Sequence, residues 1–109
     1  MADEALLEQF DEEMLLIYQR AQVEANYNAT LFLQMLHEHG GLGTARILLH
    51  KQKPSGGYTA LYLRGRLDLT VEAVIHDNPK WHLLFTPEEL AICTNRLEAY
   101  QYPGVHSPR

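Results

Sequence analysis

The chain has a single cysteine, Cys93, among its 109 residues. One thiol excludes an internal disulfide framework and a zinc site built from several cysteines, and it is typical of a reducing cytoplasm. No apolar run approaches the roughly 20 residues that a membrane-spanning helix requires. The first ten residues, MADEALLEQF, are acidic and lack the apolar core of a signal peptide. These absences predict a cytoplasmic protein that does not enter a membrane.

Motifs that bind nucleotides or metals, or that present a nucleophile, are also missing. The sequence contains no G-x-G-x-x-G, no Walker loop, no G-x-S-x-G and no H-E-x-x-H. His37 and His39 are two residues apart, which places them about 200° apart on a helix, so they cannot share an ion there. Cys93 lies on an apolar helix face, where thiols are mostly inert. We therefore expect no metal, no cofactor and no enzymatic activity.

Charge is distributed unevenly along the chain, although the net charge is only −5. Residues 1–38 hold eight acids and one base, whereas residues 39–67 hold five bases and no acid. The five bases form a possible basic patch for a partner: Arg46, Lys51, Lys53, Arg64 and Arg66. Two interpretations stay open. Acidic helices of the same molecule or of a second copy neutralise the patch, or the patch faces a partner.

Residues 5–26 carry the longest helical pattern in the chain. Apolar residues recur there at spacings of three and four: Leu6, Phe10, Met14, Ile17, Ala21 and Ala25. A helix of this length spans roughly 33 Å. Its apolar surface is wider than the strip that one neighbouring helix would cover, so we expect contacts on two sides.

Two shorter helices are predicted next. Asn28 is a plausible N-cap for a helix over 29–39, and Gly40 and Gly41 end that helix. The following helix is predicted over 42–52.

The sequence Thr86-Pro87-Glu88-Glu89 is the clearest helix start. Thr86 is the N-cap, proline occupies the first helical position, and Glu89 completes a capping box. The helix is predicted to run to about Tyr100. Trp81 and Leu83, just before it, are expected to close the end of the core. We assign residues 1–102 to one helical domain and expect residues 103–109 to be a disordered tail.

The stretch 55–76 is the most specific part of the chain. Ser55 is predicted to cap a short helix that Gly65 ends, and Asp68 is predicted to cap the next. Alternation over 67–75 also permits a β-strand. Asp68 and Glu72 are expected to share a helical face. Arg64 and Arg66 are expected to lie close enough to these acids for ion pairs that lock a corner at Gly65.

The run GRLDLTVEAVI resembles a motif of small bacterial proteins, G-R-L-D-L-T-V-E-A. Those proteins also carry counterparts of 17–36, of Gly40–Gly41 and of the later LF-x-x-x-EL element. The resemblance covers roughly residues 10–97 and implies a self-contained bacterial protein. It implies no particular chemistry, so no catalytic or binding residue follows from it. We use the name motif corner for four residues of this run, Gly65, Arg66, Asp68 and Glu72, at which the chain is expected to turn.

The sequence therefore predicts an all-α, single-domain bundle of five or six helices with a long N-terminal helix. The leading functional interpretation is a non-enzymatic subunit or adaptor that acts through helix-to-helix contacts, with a protein partner or as a homo-oligomer. An alternative is a helix-turn-helix-like DNA-binding regulator that uses the basic segment 46–66. Its second helix, GGYTALYLRG, offers aromatic and apolar side chains rather than groups that read bases. A third interpretation is an enzyme in which Asp68 and Glu72 hold a metal.

Overall fold

The computed structural model describes residues 4–104, and in that range every regular element is helical. Five α-helices follow one another: α1 (Glu4–Glu24), α2 (Thr30–Leu49), α3 (Gly56–Leu63), α4 (Val71–Asp77) and α5 (Pro87–Ala99). Short 3-10 segments, Leu67–Leu69 and Pro79–Leu84, lie on either side of α4. The all-α prediction is confirmed, and the alternative of a strand over 67–75 is wrong. Most of the predicted disordered tail, residues 105–109, lies outside the described residues.

Helix α1 forms the back of the fold and packs mainly against α2. Its predicted stripe is confirmed, because Phe10, Met14, Ile17 and Ala21 are all buried. The helix ends two residues earlier than predicted. Asn26 there takes a left-handed backbone conformation (φ 52°), which asparagine tolerates better than most residues and which stops the helix.

Helix α2 consists of two straight parts that meet at Gly40. Gly40 has φ 71° and ψ 177°, a conformation that only glycine adopts easily, and helical geometry resumes at the next residue. The Gly41 N–H donates to Asp11 Oδ1 of α1 at 2.6 Å. A Cβ atom on Gly41 would lie 2.7 Å from that oxygen. Gly40 therefore breaks the helix where the sequence predicted an end, and Gly41, which is itself helical, allows α1 to approach closely.

The predicted N-cap of α2 is wrong. The cap position is Ala29, and it makes no side-chain hydrogen bond to the helix. Asn28 instead accepts a hydrogen bond from the Tyr18 hydroxyl at 3.2 Å, which links the α1–α2 loop back to α1. The second part of α2 ends at Leu49, three residues before the predicted end.

Helix α3 begins and ends as predicted. Ser55 Oγ accepts from the Tyr58 N–H at 3.1 Å. Gly65, with φ 71°, ends the helix, and the next N–H, that of Arg66, donates back to the Leu61 carbonyl at 2.8 Å. This is the Schellman arrangement, which satisfies carbonyls at the helix end and turns the chain sharply.

Asp68 is not the cap of the following helix. Thr70 has that position, and its hydroxyl oxygen accepts from the Ala73 N–H at 3.2 Å. Asp68 lies in the preceding 3-10 segment, where its carboxylate pairs with Arg66 at 3.0 Å. The ion pair occupies the acid, so the threonine two residues later caps α4 instead.

Helix α5 carries the predicted capping box, in which Thr86 and Glu89 exchange hydrogen bonds at 2.9 and 3.1 Å. Trp81 closes the core as expected, with its ring edge-to-face with Phe10 at 5.2 Å between centroids. The prediction for Leu83 is wrong, since 84% of its surface is exposed. The 3-10 segment that contains both residues directs them to opposite sides.

Candidate functional site

Arg46, the first residue of the possible basic patch, is engaged within the fold. Its Nη2 donates to the Leu84 carbonyl at 3.0 Å, and its Nε lies 3.3 Å from a Glu89 carboxylate oxygen. These contacts hold the end of α2 against the start of α5. A DNA phosphate that bound Arg46 would have to displace these contacts.

Arg64 and Arg66 form contacts at the end of α1 and in the loop that follows it. The Arg64 Nε donates to the Ala25 carbonyl at 3.1 Å, and its guanidinium lies 5.1 Å from the centre of the Tyr27 ring. Arg66 Nη2 lies 2.8 Å from Glu24 Oε1. Three of the five bases of the possible patch are thus bound to other groups of the chain. Lys51 and Lys53 form no ion pair with any residue from 4 to 104.

The motif corner is a surface ion-pair network built on Arg66. Its guanidinium contacts both Asp68 and Glu24, and Arg20 contacts Glu24 at 2.8 Å. Hydrogen bonds from Arg20 and Arg66 lower the pKa of Glu24 to about 2, and the bond from Arg66 lowers the pKa of Asp68. The network ties the chain after Gly65 to the end of α1. The predicted ion pair that locks this corner is present between Arg66 and Asp68. The prediction for Arg64 is wrong, because its guanidinium donates to the carbonyls of Ala25 and Ala60 instead.

Glu72 does not join that network. It lies inside α4 with 3% of its surface exposed, and it pairs with Arg96 of α5 at 2.9 Å. The prediction that Asp68 and Glu72 share one helical face is wrong, because Thr70 begins a new helix between them. The two carboxylates have different basic partners, so they do not form a paired-acid site.

Arg96 joins three helices. Besides Glu72, its guanidinium donates to the carbonyls of Leu48 (3.2 Å), Leu49 (3.3 Å) and Lys51 (2.7 Å). These carbonyls lie at and just beyond the end of α2, where no helical N–H remains to satisfy them. Burial nevertheless raises the pKa of Glu72, because desolvation outweighs the single ion pair. The sequence did not single out Arg96, since its partners are 24 to 48 residues away and leave no local signal.

Above Glu72 lies a groove of about 410 Å³ between α1, the first part of α2 and the start of α3. Apolar side chains form most of its wall, including Ile17, Ala21, Leu31, Phe32, Met35, Leu48, Leu61, Leu69 and Val71. Tyr18, Tyr27, Lys51 and Glu72 supply polar groups. No local pattern predicts it, because its wall comes from residues 17 to 72.

A second surface feature is the outward side of α1. Leu15, Leu16 and Val23 are exposed there, by 42%, 45% and 84% of their surface, opposite the buried stripe. The sequence predicted contacts on two sides of this helix, and the described chain covers only one of them. Glu12 and Arg20 lie one turn before and after Leu16 on the same side.

The remaining candidates for chemistry are the lone cysteine and the side chains that could ligate a metal. Cys93 is buried, and burial raises the pKa of its thiol to about 12. Residues 4–104 contain no group of three or more histidine, cysteine, aspartate or glutamate side chains placed to hold a metal ion. Within the same residues, no helix is both long and apolar enough to cross a membrane.

Comparisons with protein-family models, with curated proteins and with solved structures found no match to this chain. The resemblance to small bacterial proteins with the G-R-L-D-L-T-V-E-A motif therefore stays a prediction. Function has to be inferred from the groove, the outward side of α1 and the charges around them.

Proposed function

We propose that this protein is a non-enzymatic subunit or adaptor that acts through helix-to-helix contacts on the outward side of α1, in the cytoplasm. The observation that supports this best is the set of exposed apolar side chains there: Leu15, Leu16 and Val23. They share one side of a regular helix that spans Glu4–Glu24. Packing this side against a partner helix would bury apolar surface worth roughly 25 cal/mol per Å².

The charges along α1 favour a second copy of the chain as the partner. Its first half carries only acids, among them Glu8 and Glu12. Around its end the three bases Arg20, Arg64 and Arg66 outnumber their paired acids Glu24 and Asp68 by one charge, so this end is weakly basic even with its ion pairs formed. Two α1 helices packed antiparallel would bring the acidic half of each next to the basic end of the other. A two-fold interface of this kind uses the same surface on both copies.

Light scattering on the purified chain over a range of concentrations tests this proposal. We expect a mass twice the 12.5 kDa of one chain. The double variant Leu16→Glu, Val23→Glu should shift the mass to that of one chain, because it places four like charges in the dimer interface. Both positions are exposed in the single chain, so the thermal midpoint at low concentration should change little.

Leu83→Glu is the matched control, because Leu83 is as exposed as Val23 but lies in the Pro79–Leu84 segment. It should leave the dimer intact. A mass of one chain at every concentration would contradict pairing between copies. If Leu83→Glu dissociated the dimer as effectively as the α1 variant, the interface would be assigned wrongly.

The alternative of DNA binding has less support. Arg46, Arg64 and Arg66 already contact carboxylates, carbonyls or an aromatic ring of the same chain. Only Lys51 and Lys53 of the five remain for phosphates, and two contacts would give a shallow dependence of affinity on salt.

A further inference from the structure

We propose that the groove binds a small molecule with an apolar body and one anionic end group, such as a medium-chain carboxylate. This goes beyond the proposed function, because Leu16 and Val23 are not part of the groove wall. The inference rests on the volume and composition of the groove and on the polar groups in it that lack a partner.

The groove has the size and chemistry of a ligand site. Its volume of about 410 Å³ lies within the ~300–1,000 Å³ that is usual for small-molecule pockets. Ile17, Phe32, Met35 and Leu61 come from three different helices and face one space. Such walls favour a hydrocarbon body over a polar one.

The charges select the end group of the ligand. Lys51 and Glu72 are the charged residues of the wall. Glu72 is neutralised by Arg96 at 2.9 Å, whereas the Lys51 ammonium forms no ion pair within the described chain. Tyr27 also lines the groove, and its hydroxyl has no hydrogen-bond partner among residues 4–104. An ammonium and a hydroxyl that have no acceptor within the described part of the chain can donate to an anion, and the ammonium repels a cation.

Binding is tested with three probes that share one hydrocarbon chain: decanoate, decanol and decylammonium. Affinity is measured by calorimetry below the micelle concentration of each probe. We expect decanoate to bind one molecule per chain and about tenfold more tightly than the other two, the size of effect usual for one charge-assisted hydrogen bond. The position is read from methionine methyl NMR. The Met35 signal should shift because it lies in the groove wall, whereas the signal of Met14, buried in the core, should not.

Lys51→Met should remove most of the preference for decanoate and leave decanol binding unchanged. Lys53→Met is the matched control, since Lys53 is exposed two residues away and is not part of the wall. Both side chains lie on the surface, so both variants should fold.

Three results would overturn the inference. Equal affinity for decanoate and decanol would exclude a selected anionic end. An unchanged Met35 signal at saturation would exclude the groove. Equal losses of affinity in the Lys51 and Lys53 variants would mean that general surface charge, and not the groove, attracts the carboxylate.

Discussion

Glu72 and Glu89 each have 3% of their surface exposed and each face an arginine, yet their pKa values shift in opposite directions. For Glu89 burial raises the pKa, but the Thr86 N–H, His50 at 2.8 Å and Arg46 lower it by more than burial raises it. The net result is a lowered pKa. For Glu72 burial also raises the pKa, and among residues 4–104 Arg96 is its only side-chain hydrogen-bond partner. The two sites also differ in depth, since Arg46 and His50 beside Glu89 are 44% and 58% exposed, whereas Arg96 beside Glu72 is 10% exposed. Desolvation is therefore stronger at Glu72, and fewer donors oppose it.

Among the variants that test this difference between Glu72 and Glu89, removal of Arg96 should have the largest effect on the free energy of unfolding. Arg96→Met leaves the Glu72 carboxylate buried without a partner and three carbonyls at the end of α2 without donors. We expect the free energy of unfolding to fall by about 3–5 kcal/mol, measured by urea denaturation at pH 7. The double variant with Glu72→Gln should recover part of this loss, because no charge is then left unpaired.

Arg20→Met is the control, since it removes an exposed ion pair with Glu24 and should lower the urea midpoint far less than Arg96→Met does. Equal losses for the Arg20 and Arg96 variants would show that the Glu72–Arg96 contact has no special weight.

Removing Glu89 should have the next largest effect. Glu89→Ala deletes half of the capping box and the acceptor for His50 and Arg46, so we expect a loss of about 2 kcal/mol in the same measurement. Glu88→Ala, on the exposed side of the same turn, should change stability by less than about 0.5 kcal/mol. Similar losses for both variants would mean that the contacts of Glu89 contribute little.

The two glutamates should also respond oppositely to acid. The lowered pKa of Glu89 means that its stabilising contribution is present above the ordinary value near 4.5 and is lost as the pH falls through the folded-state pKa. The raised pKa of Glu72 means that the folded state takes up a proton first. Stability from Glu72 should therefore increase as the pH falls from 7 towards 4.5.

Urea midpoints of the wild type, Glu72→Gln and Glu89→Gln between pH 7 and pH 3 measure both effects. The advantage of the wild type over Glu89→Gln should shrink below pH 4.5. Relative to Glu72→Gln, the wild type should gain stability over pH 7 to 4.5. Parallel curves for the two variants would contradict the opposite shifts.

His50→Ala should have the smallest effect. It removes one donor from Glu89, and the exposed ring limits the loss of stability to less than about 1 kcal/mol. The pKa of Glu89, followed by carboxyl NMR, should nevertheless rise towards the behaviour of Glu72. An unchanged pKa would show that the Thr86 N–H and Arg46 are sufficient.

The distance along the chain between a residue and its partner explains which predictions from the sequence succeeded. The Ser55 cap, the Gly65 helix end and the Thr86–Glu89 capping box were predicted correctly, because their partners lie within about four residues. Asp68 was placed wrongly as a cap, because the choice between it and Thr70 depends on Arg66 and on the end of α1.

For the candidate sites, the sequence named the five bases but not their partners. Whether Arg46 is free or bound depends on Glu89 and Leu84, about 40 residues away. The groove and Arg96 could not be predicted, since both require that α2 be packed against later helices. The exposure of Leu83 was missed for a related reason: apolar character alone does not indicate which side of a short 3-10 segment faces the core.

The contacts of Arg96 also have a consequence for hydrogen exchange. Its guanidinium binds carbonyls of α2 and a carboxylate of α4 while its backbone belongs to α5, so none of these helices can open at this point without breaking the contacts of the others. Amide protons in the last turn of α2, in α4 and in the middle of α5 should therefore exchange with one common opening free energy, as a single cooperative unit. The first turns of α1 lie outside this set of contacts and should exchange independently of that unit.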